Sequence, residues 1–404
     1  MSSTVLANIA DDAAHRLVGF LSSSSQTAPA NFKEECEASL AVNDASKLIR
    51  IILSDPGSFE SLVALPTEEG VSAVTLLGAL LNKVKDGKSG QLLNEVADAL
   101  CRVNSDDPVA TTAKQVTLLA TLYNMRSDPS EKVGLIVRMI RLASARDTTL
   151  LEAPSSALAK LMDPSRLIAI LDEWNIPKSG RRELYRTAAD GAKTPSAKQQ
   201  FNLLVVETYS KSDVDATGLE YAKKSAIGAI QDPVTLFAQQ RKILSLPAIE
   251  ALDQSDVKLL ALLKVFQEGG IDDYFAYIKT NGGDAVLTQW GLSAEECARN
   301  MRILSLCSLA GEHEEIPYAL VAERLQTSQE EVEKWVIAAV SSGLLSAKMD
   351  QLKLTEKVSR QVMDNDTSTL YKSRYGINIH RIVIMTAQGT KDQLDHKLKK
   401  IVTI

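Results

Sequence analysis

Aromatic residues are scarce in this 404-residue chain. Phe, Tyr and Trp make up 5% of it, although 45% is hydrophobic. The apolar content is carried mostly by Leu, Ala, Ile and Val, which suits packed helices more than a sandwich of aromatic-rich strands. Cysteine is scarce too. Cys36, Cys101, Cys297 and Cys307 include no CxxC pair, which argues against a zinc ribbon or a disulfide framework and reads as buried free thiols in a reducing compartment. Among His15, His313, His380 and His396 no pair has metal-ligand spacing. A GxSxG elbow and a dinucleotide fingerprint are both missing. The GKS triplet in Asp86-Gly87-Lys88-Ser89 has Asn82 where a phosphate-binding loop requires glycine. It also links two helical segments and does not follow a strand, so it reads as an interhelical loop. Cys307 falls on an apolar helical face, the place of a core thiol more than of a nucleophile. An enzyme reading therefore has no residues to rest on, and no cofactor or metal is expected.

Long hydrophobic runs are absent as well. None approaches the roughly 18 residues that would span a bilayer. Asp11 and Asp12 stand where a signal peptide would be apolar. The expectation is a soluble, cytoplasmic chain with no membrane contact. Basic residues are in deficit, 45 against 51 acidic, for a net charge of −6, so the global field does not favour polyanions. The deficit is uneven: after Arg360 seven basic residues face four acidic ones, a tail of +3.

What the chain does contain is helical periodicity. Leu93, Val96, Ala97 and Leu100 make one face; Val116, Leu119, Ala120 and Tyr123 make the next. Val133, Ile136, Val137 and Ile140 follow, then Phe201, Leu204, Val205 and Thr208, and Leu259, Leu262, Leu263 and Phe266. Asp107-Pro108, Asp128-Pro129, Asp163-Pro164 and Asp232-Pro233 each precede a periodic segment. Aspartate caps the first amides, and proline is tolerated at N1, where its missing amide would be unpaired anyway. The first three of these faces, from Leu93, Val116 and Val133, begin 23 and 17 residues apart, so two helices make a unit in the range of helical-hairpin repeats. The expected fold is mainly α, a right-handed helical-hairpin array of the TPR or HEAT kind with little identity between units. Ser22 to Ala30, SSSSQTAPA, reads as a flexible connector after an N-terminal helix.

The pattern changes at Ile316–Gln351, IPYALVAERLQTSQEEVEKWVIAAVSSGLLSAKMDQ. Ser293 with Glu296 starts a helix carrying Met301, Leu304 and Cys307. Ile316, Leu320, Val321 and Leu325 suit a short helix entered through Pro317. Ser328 stands three residues before Glu331, a capping-box spacing, and Val332, Trp335, Val336, Ala339 and Val340 share one helical face behind it. Gly343 is a natural helix stop. Leu344 to Met349 then reads as a strand, Asp350-Gln351 as a turn, and Leu352, Leu354 and Val358 alternate with polar residues as a second strand. Helix, turn, helix and a two-stranded wing make a winged helix. Its second helix opens with Glu330, Glu331 and Glu333 against Lys334 alone. Such a face repels phosphates, where a DNA reader would present Lys, Arg, Asn or Gln. The module reads as a protein binder. The expected domains are 1–30, an N-terminal helix and linker; 31–290, the array; 291–360, the winged helix; and 361–404, a basic tail.

A helical array that ends in this stretch resembles the PCI domain family, found in the proteasome lid, the COP-nine signalosome and eukaryotic translation initiation factor 3. Leu171-Asp172-Glu173-Trp174-Asn175, Ala226 to Pro233 and Gln289-Trp290-Gly291-Leu292 are similar to segments of a PCI subunit of the initiation factor. The resemblance implies a non-catalytic scaffold that supports preinitiation-complex assembly. Its partners would be other PCI and MPN subunits and, through the complex, the small ribosomal subunit. PCI winged helices associate side by side through their sheets, and the candidate edge here carries Leu344, Leu345, Met349, Leu352 and Leu354. The alternatives are the same fold in the signalosome or proteasome lid, or a winged-helix adaptor that contacts nucleic acid. The C-terminus departs from the family pattern. Ile377, Ile379, Ile382 and Ile384 read as β-prone where a long amphipathic helix is expected, and Lys391 to Ile401 reads as a short basic helix.

Overall fold

The computed structural model describes residues 3–25, 27–84, 87–153, 155–233, 242–313, 315–345, 347–350 and 355–358. The chain divides into two compact units, Met1–Tyr209 and Ser210–Ile404.

The first unit is helical throughout its described residues. Its helices are α1 (Ser3–Ser24), α2 (Phe32–Ala41), α3 (Ala45–Ser54), α4 (Pro56–Ala64), α5 (Thr67–Lys83), α6 (Ser89–Arg102) and α7 (Pro108–Met125). They continue with α8 (Pro129–Arg146), the single turns α9 (Thr149–Glu152) and α10 (Ala157–Leu161), then α11 (Pro164–Glu173), α12 (Lys178–Gly191) and α13 (Pro195–Glu207). Packing follows sequence order: α7 lies on α8, α8 on α12, and α12 on α13. The Asp-Pro joints build the starts. Asp107 accepts from the Ala110 amide at 3.0 Å, Asp128 from Ser130 at 2.8 Å and Asp163 from Arg166 at 2.9 Å. Leu118, Leu119 and Leu122 of α7 are fully buried, as are Ile140 and Ala143 of α8.

Between these faces sits a polar network that periodicity does not announce. Gln115, fully buried, donates to the carbonyls of Leu100 at 2.7 Å and Val103 at 2.9 Å. Arg146 donates to the Gln115 side-chain oxygen at 3.2 Å, the Val103 carbonyl at 3.0 Å and Asn104 at 2.7 Å. These bonds satisfy the open carbonyls at the end of α6. The serine-rich stretch is held too. Its first three serines belong to α1, and Ser25 donates to Asp55 at 2.6 Å while Thr27 bonds the other carboxylate oxygen. The expected flexible connector is thus pinned to the body of the unit.

The second unit begins with α14 (Ala216–Gln231), whose C-cap is Asp232; residues 234–241 of the Asp232-Pro233 segment lie outside the described residues. Two single turns follow, α15 (Pro247–Glu250) and α16 (Leu252–Ser255), then α17 (Val257–Glu268), α18 (Ile271–Asn281) and the turn α19 (Ala285–Thr288). α14 packs on α17, and α17 on α18. Asp256 caps α17 through the Leu259 amide at 3.3 Å; its other oxygen accepts from Trp290 Nε1 at 3.3 Å and pairs with Lys223 at 3.5 Å. The unit ends in α20 (Ala294–Glu312), β1 (Glu315–Pro317), α21 (Tyr318–Leu325), α22 (Val332–Ser341), β2 (Ala347–Asp350) and β3 (Thr355–Val358). The fold is mainly α, helical hairpins ahead of a winged-helix module, as the periodicity implies.

Candidate functional site

The winged helix is built on α20, against which both α21 and α22 pack. Ser293 accepts from the Glu296 amide at 3.3 Å and starts α20 as its sequence predicts. Met301, Leu304 and Cys307 of α20 are buried. From α21 come Tyr318, Val321 and Leu325, and from α22 Val332, Trp335, Val336 and Ala339, all buried. Arg302 joins the elements. Its Nε donates to the Leu325 carbonyl at 3.2 Å, and its guanidinium lies 5.1 Å from the Trp335 ring centre and 5.8 Å from that of Phe275.

Two local details differ from the sequence reading. The capping box at Ser328 is not formed. Ser328 makes no side-chain cap bond, Gln329–Glu331 is a 3₁₀ turn, and the Thr327 hydroxyl donates to the Glu331 carboxylate instead. This bond, with Lys334 nearby, holds Glu331 below the ordinary carboxylate range. The second detail is the end of α21, where Gln326 takes a left-handed conformation at φ 51° with no glycine present. Gly343, at φ 77°, ends α22 as expected.

The sheet is three-stranded in the order β1-β3-β2. β3 is central and antiparallel to both neighbours: Glu315, Ile316 and Pro317 face Lys357, Glu356 and Thr355, while Ala347 to Asp350 face Val358 to Thr355. The sequence reading gave Ile316 to the following helix; it belongs to a strand because Pro317 can end β1 and position the first turn of α21. Among the described residues the edges of the sheet are therefore β1 and β2. β2 starts at Ala347, three residues later than expected. Leu344 and Leu345 lie before it and are buried. Met349 is in β2, in register with Glu356. Leu352 and Leu354 lie outside the described residues, as do the β-prone run at Ile377–Ile384 and the basic segment Lys391–Ile401. β1 was missed, since three residues holding a proline carry no period-two signal.

On α22, Ile337 is 55% exposed. Burial pushes Cys36, Cys101 and Cys297 up to about 11 and Cys307 up to about 12, so these thiols stay protonated at neutral pH and are poor nucleophiles. Among the described residues no group of His, Cys, Asp and Glu side chains is placed to hold a metal. No helix among them is long and apolar enough to cross a membrane.

Residues 276–355 match the PCI domain family, a span that begins in α18 and reaches β3. The chain carries a PCI domain. Beyond the PCI domain it is similar to curated proteins named eukaryotic translation initiation factor 3 subunit M. The relative from Dictyostelium discoideum is 26% identical over 269 residues, 64% of this chain and 63% of that protein. One from Phaeosphaeria nodorum is 27% identical over 303 residues, covering 72% and 65%. One from Nematostella vectensis is 26% identical over 301 residues, covering 72% of each. The matched region spans just under two thirds of the first two relatives. Segments that suggested this kinship have physical duties here. Asn175, at φ 52°, turns the chain after α11, and Gly291, at φ 68°, does so after Trp290.

Proposed function

We propose that the chain is a non-catalytic scaffold subunit of eukaryotic translation initiation factor 3, acting in the cytoplasm. In this role it supports assembly of the preinitiation complex on the small ribosomal subunit. The observation that carries the reading is a PCI domain at the end of helical hairpins, in a chain similar along most of its length to proteins named as subunit M.

Its partners are other PCI and MPN subunits, and the contact is edge-strand pairing at β2. Strand pairing hides amides and carbonyls that an edge leaves open. β1 is the poorer edge, because it has three residues and Pro317 has no amide to give. β2 has four, and none of them is a proline, so each has an amide to give. The acidic opening of α22 opposes phosphate binding, so contact with RNA runs through the complex and not through this helix.

The test is a tagged pull-down from cytosol with mass spectrometry, using wild type beside Lys348→Pro and Met349→Pro. Amides alternate along an antiparallel strand, so one of these prolines deletes a ladder donor and the other an outward one. Initiation-factor subunits with wild type, lost in the variant that keeps its helical circular dichroism, are the expected result. Proteasome-lid or signalosome subunits with wild type would refute the assignment to initiation factor 3. Full retention of partners by both prolines would refute the β2 edge.

A further inference from the structure

Asp55 is the N-cap residue of α4, yet it makes no side-chain bond to the backbone of its own helix start. The residue is 1% exposed, and its carboxylate takes three hydroxyls instead. Ser25 donates to Oδ2 at 2.6 Å, Ser58 donates to Oδ2 at 2.8 Å, and Thr27 donates to Oδ1. The Thr27 hydroxyl oxygen in turn accepts from the Gly57 amide at 3.1 Å. Position 57 must be glycine for this to close, since an added Cβ would lie 2.5 Å from Ser25 Oγ and closer still to Thr27 Oγ1. Two of the three hydroxyls come from the segment that follows α1. This helix packs on α2, α4 and α5, and buries Ala14, Leu17, Val18 and Leu21. The cluster therefore fastens the end of α1 to the start of α4.

We propose that Thr27 is a phosphorylation site, and that a phosphate there opens this latch and frees α1 from the first unit. Thr27 is exposed as a residue while its hydroxyl bonds a buried carboxylate, so it can be reached by an enzyme and still control a buried contact. In the reaction the hydroxyl oxygen attacks the γ-phosphorus of a nucleoside triphosphate held by a protein kinase. An O–P bond forms, the bond to the leaving diphosphate breaks, and the hydroxyl proton passes to a base of the kinase. The product has no hydrogen to give Asp55 and brings one and a half to two negative charges to about hydrogen-bond distance of it. Pro56 has no amide to offer, and the Gly57 amide, from which the Thr27 oxygen already accepts, is a single donor for two carboxylate and three phosphate oxygens. The repulsion acts in a part-buried site, where it is screened less than at an open surface. Freeing α1 uncovers the apolar strip on α2, α4 and α5.

The experiment uses the full chain with phosphothreonine encoded at position 27, followed by amide hydrogen exchange. Exchange across Ala14–Leu21 should rise at least tenfold over wild type, while that of α7 and α8 stays unchanged. Thr27→Val, which loses the hydroxyl without adding charge, should raise it less than threefold. Asp55→Asn should raise exchange across Ala14–Leu21 in the unphosphorylated chain and change it less than twofold in the phosphorylated one, because the latch it weakens is already open there. Three results would overturn the proposal: equal exchange for the phosphorylated and valine chains, effects of the phosphate and of Asp55→Asn that simply add, or faster exchange spread equally over α7 and α8.

Discussion

Helix starts in the first unit and in the winged helix are made by different means. At Asp107, Asp128 and Asp163 a single side chain caps the helix that follows it, and Pro at N1 fixes the direction. Everything needed lies within four residues, so the sequence states it. At Ser328 the same logic predicts a capping box, yet Thr327 takes Glu331 and the serine caps nothing. There the approach of the chain is set by Gln326, which turns left-handed where α21 meets α22, and by Arg302 reaching across to the Leu325 carbonyl. A local motif decides a helix start when no distant group competes for its atoms. Asp55 teaches the same lesson from the other side. It stands before Pro56 in the right place to cap, but distant hydroxyls claim it.

The contrast can be tested, first where the effects are largest. Leu118→Ala in α7 and Trp335→Ala in α22 each empty a buried site, and each should cost about 2–5 kcal/mol in denaturant unfolding of its own unit. Trp335→Phe should cost less than half as much as the alanine, because Trp335 Nε1 is buried with no hydrogen-bond partner among the described residues and phenylalanine removes it. A phenylalanine as costly as alanine would show that the indole nitrogen is paired in solution.

Next in size is Asp55→Asn, expected to cost about 1–3 kcal/mol at neutral pH by disturbing three buried hydrogen bonds. Burial by itself would raise the Asp55 carboxyl, but the hydroxyls of Ser25, Thr27 and Ser58 bring it below the ordinary carboxylate range. A carboxyl depressed in the folded state stabilises above its unfolded pKa, and that contribution disappears as pH falls through its folded one. Wild type should therefore lose stability on acidification more steeply than Asp55→Asn, measured by unfolding at a series of pH values down to about 3. Parallel acid limbs would show that Asp55 carries no such contribution.

The smallest effects compare the caps directly. Asp107→Ala should cost about 1 kcal/mol, since it frees the Ala110 amide. Ser328→Ala should fall within about 0.5 kcal/mol of wild type, since no bond is lost. Equal costs at the two sites would remove the distinction between them.

The candidate site was legible to a similar, uneven degree. The helices that support it could be read from Ser293, Trp335 and Gly343, because each acts on its own turn. The sheet could be read only in part. Leu344 and Leu345 look like strand residues by composition, yet they are buried ahead of β2, directly after the left-handed Gly343. β1 was hidden, since its pairing with β3 joins residues about 40 apart, Ile316 with Glu356.

By itself the sequence determined the helical class, the Asp-Pro starts of α7, α8 and α11, and the winged-helix order that led to the PCI domain. Each of these rests on periodicity or on side chains that reach no further than their own helix turn. The tertiary structure alone decided that β3 is the central strand, that Arg146 and Gln115 close the end of α6, and that Asp55 holds the end of α1 in place of capping α4. Those outcomes depend on which polar atoms from remote parts of the chain arrive at the same buried point, where a donor or acceptor left unpaired is costly.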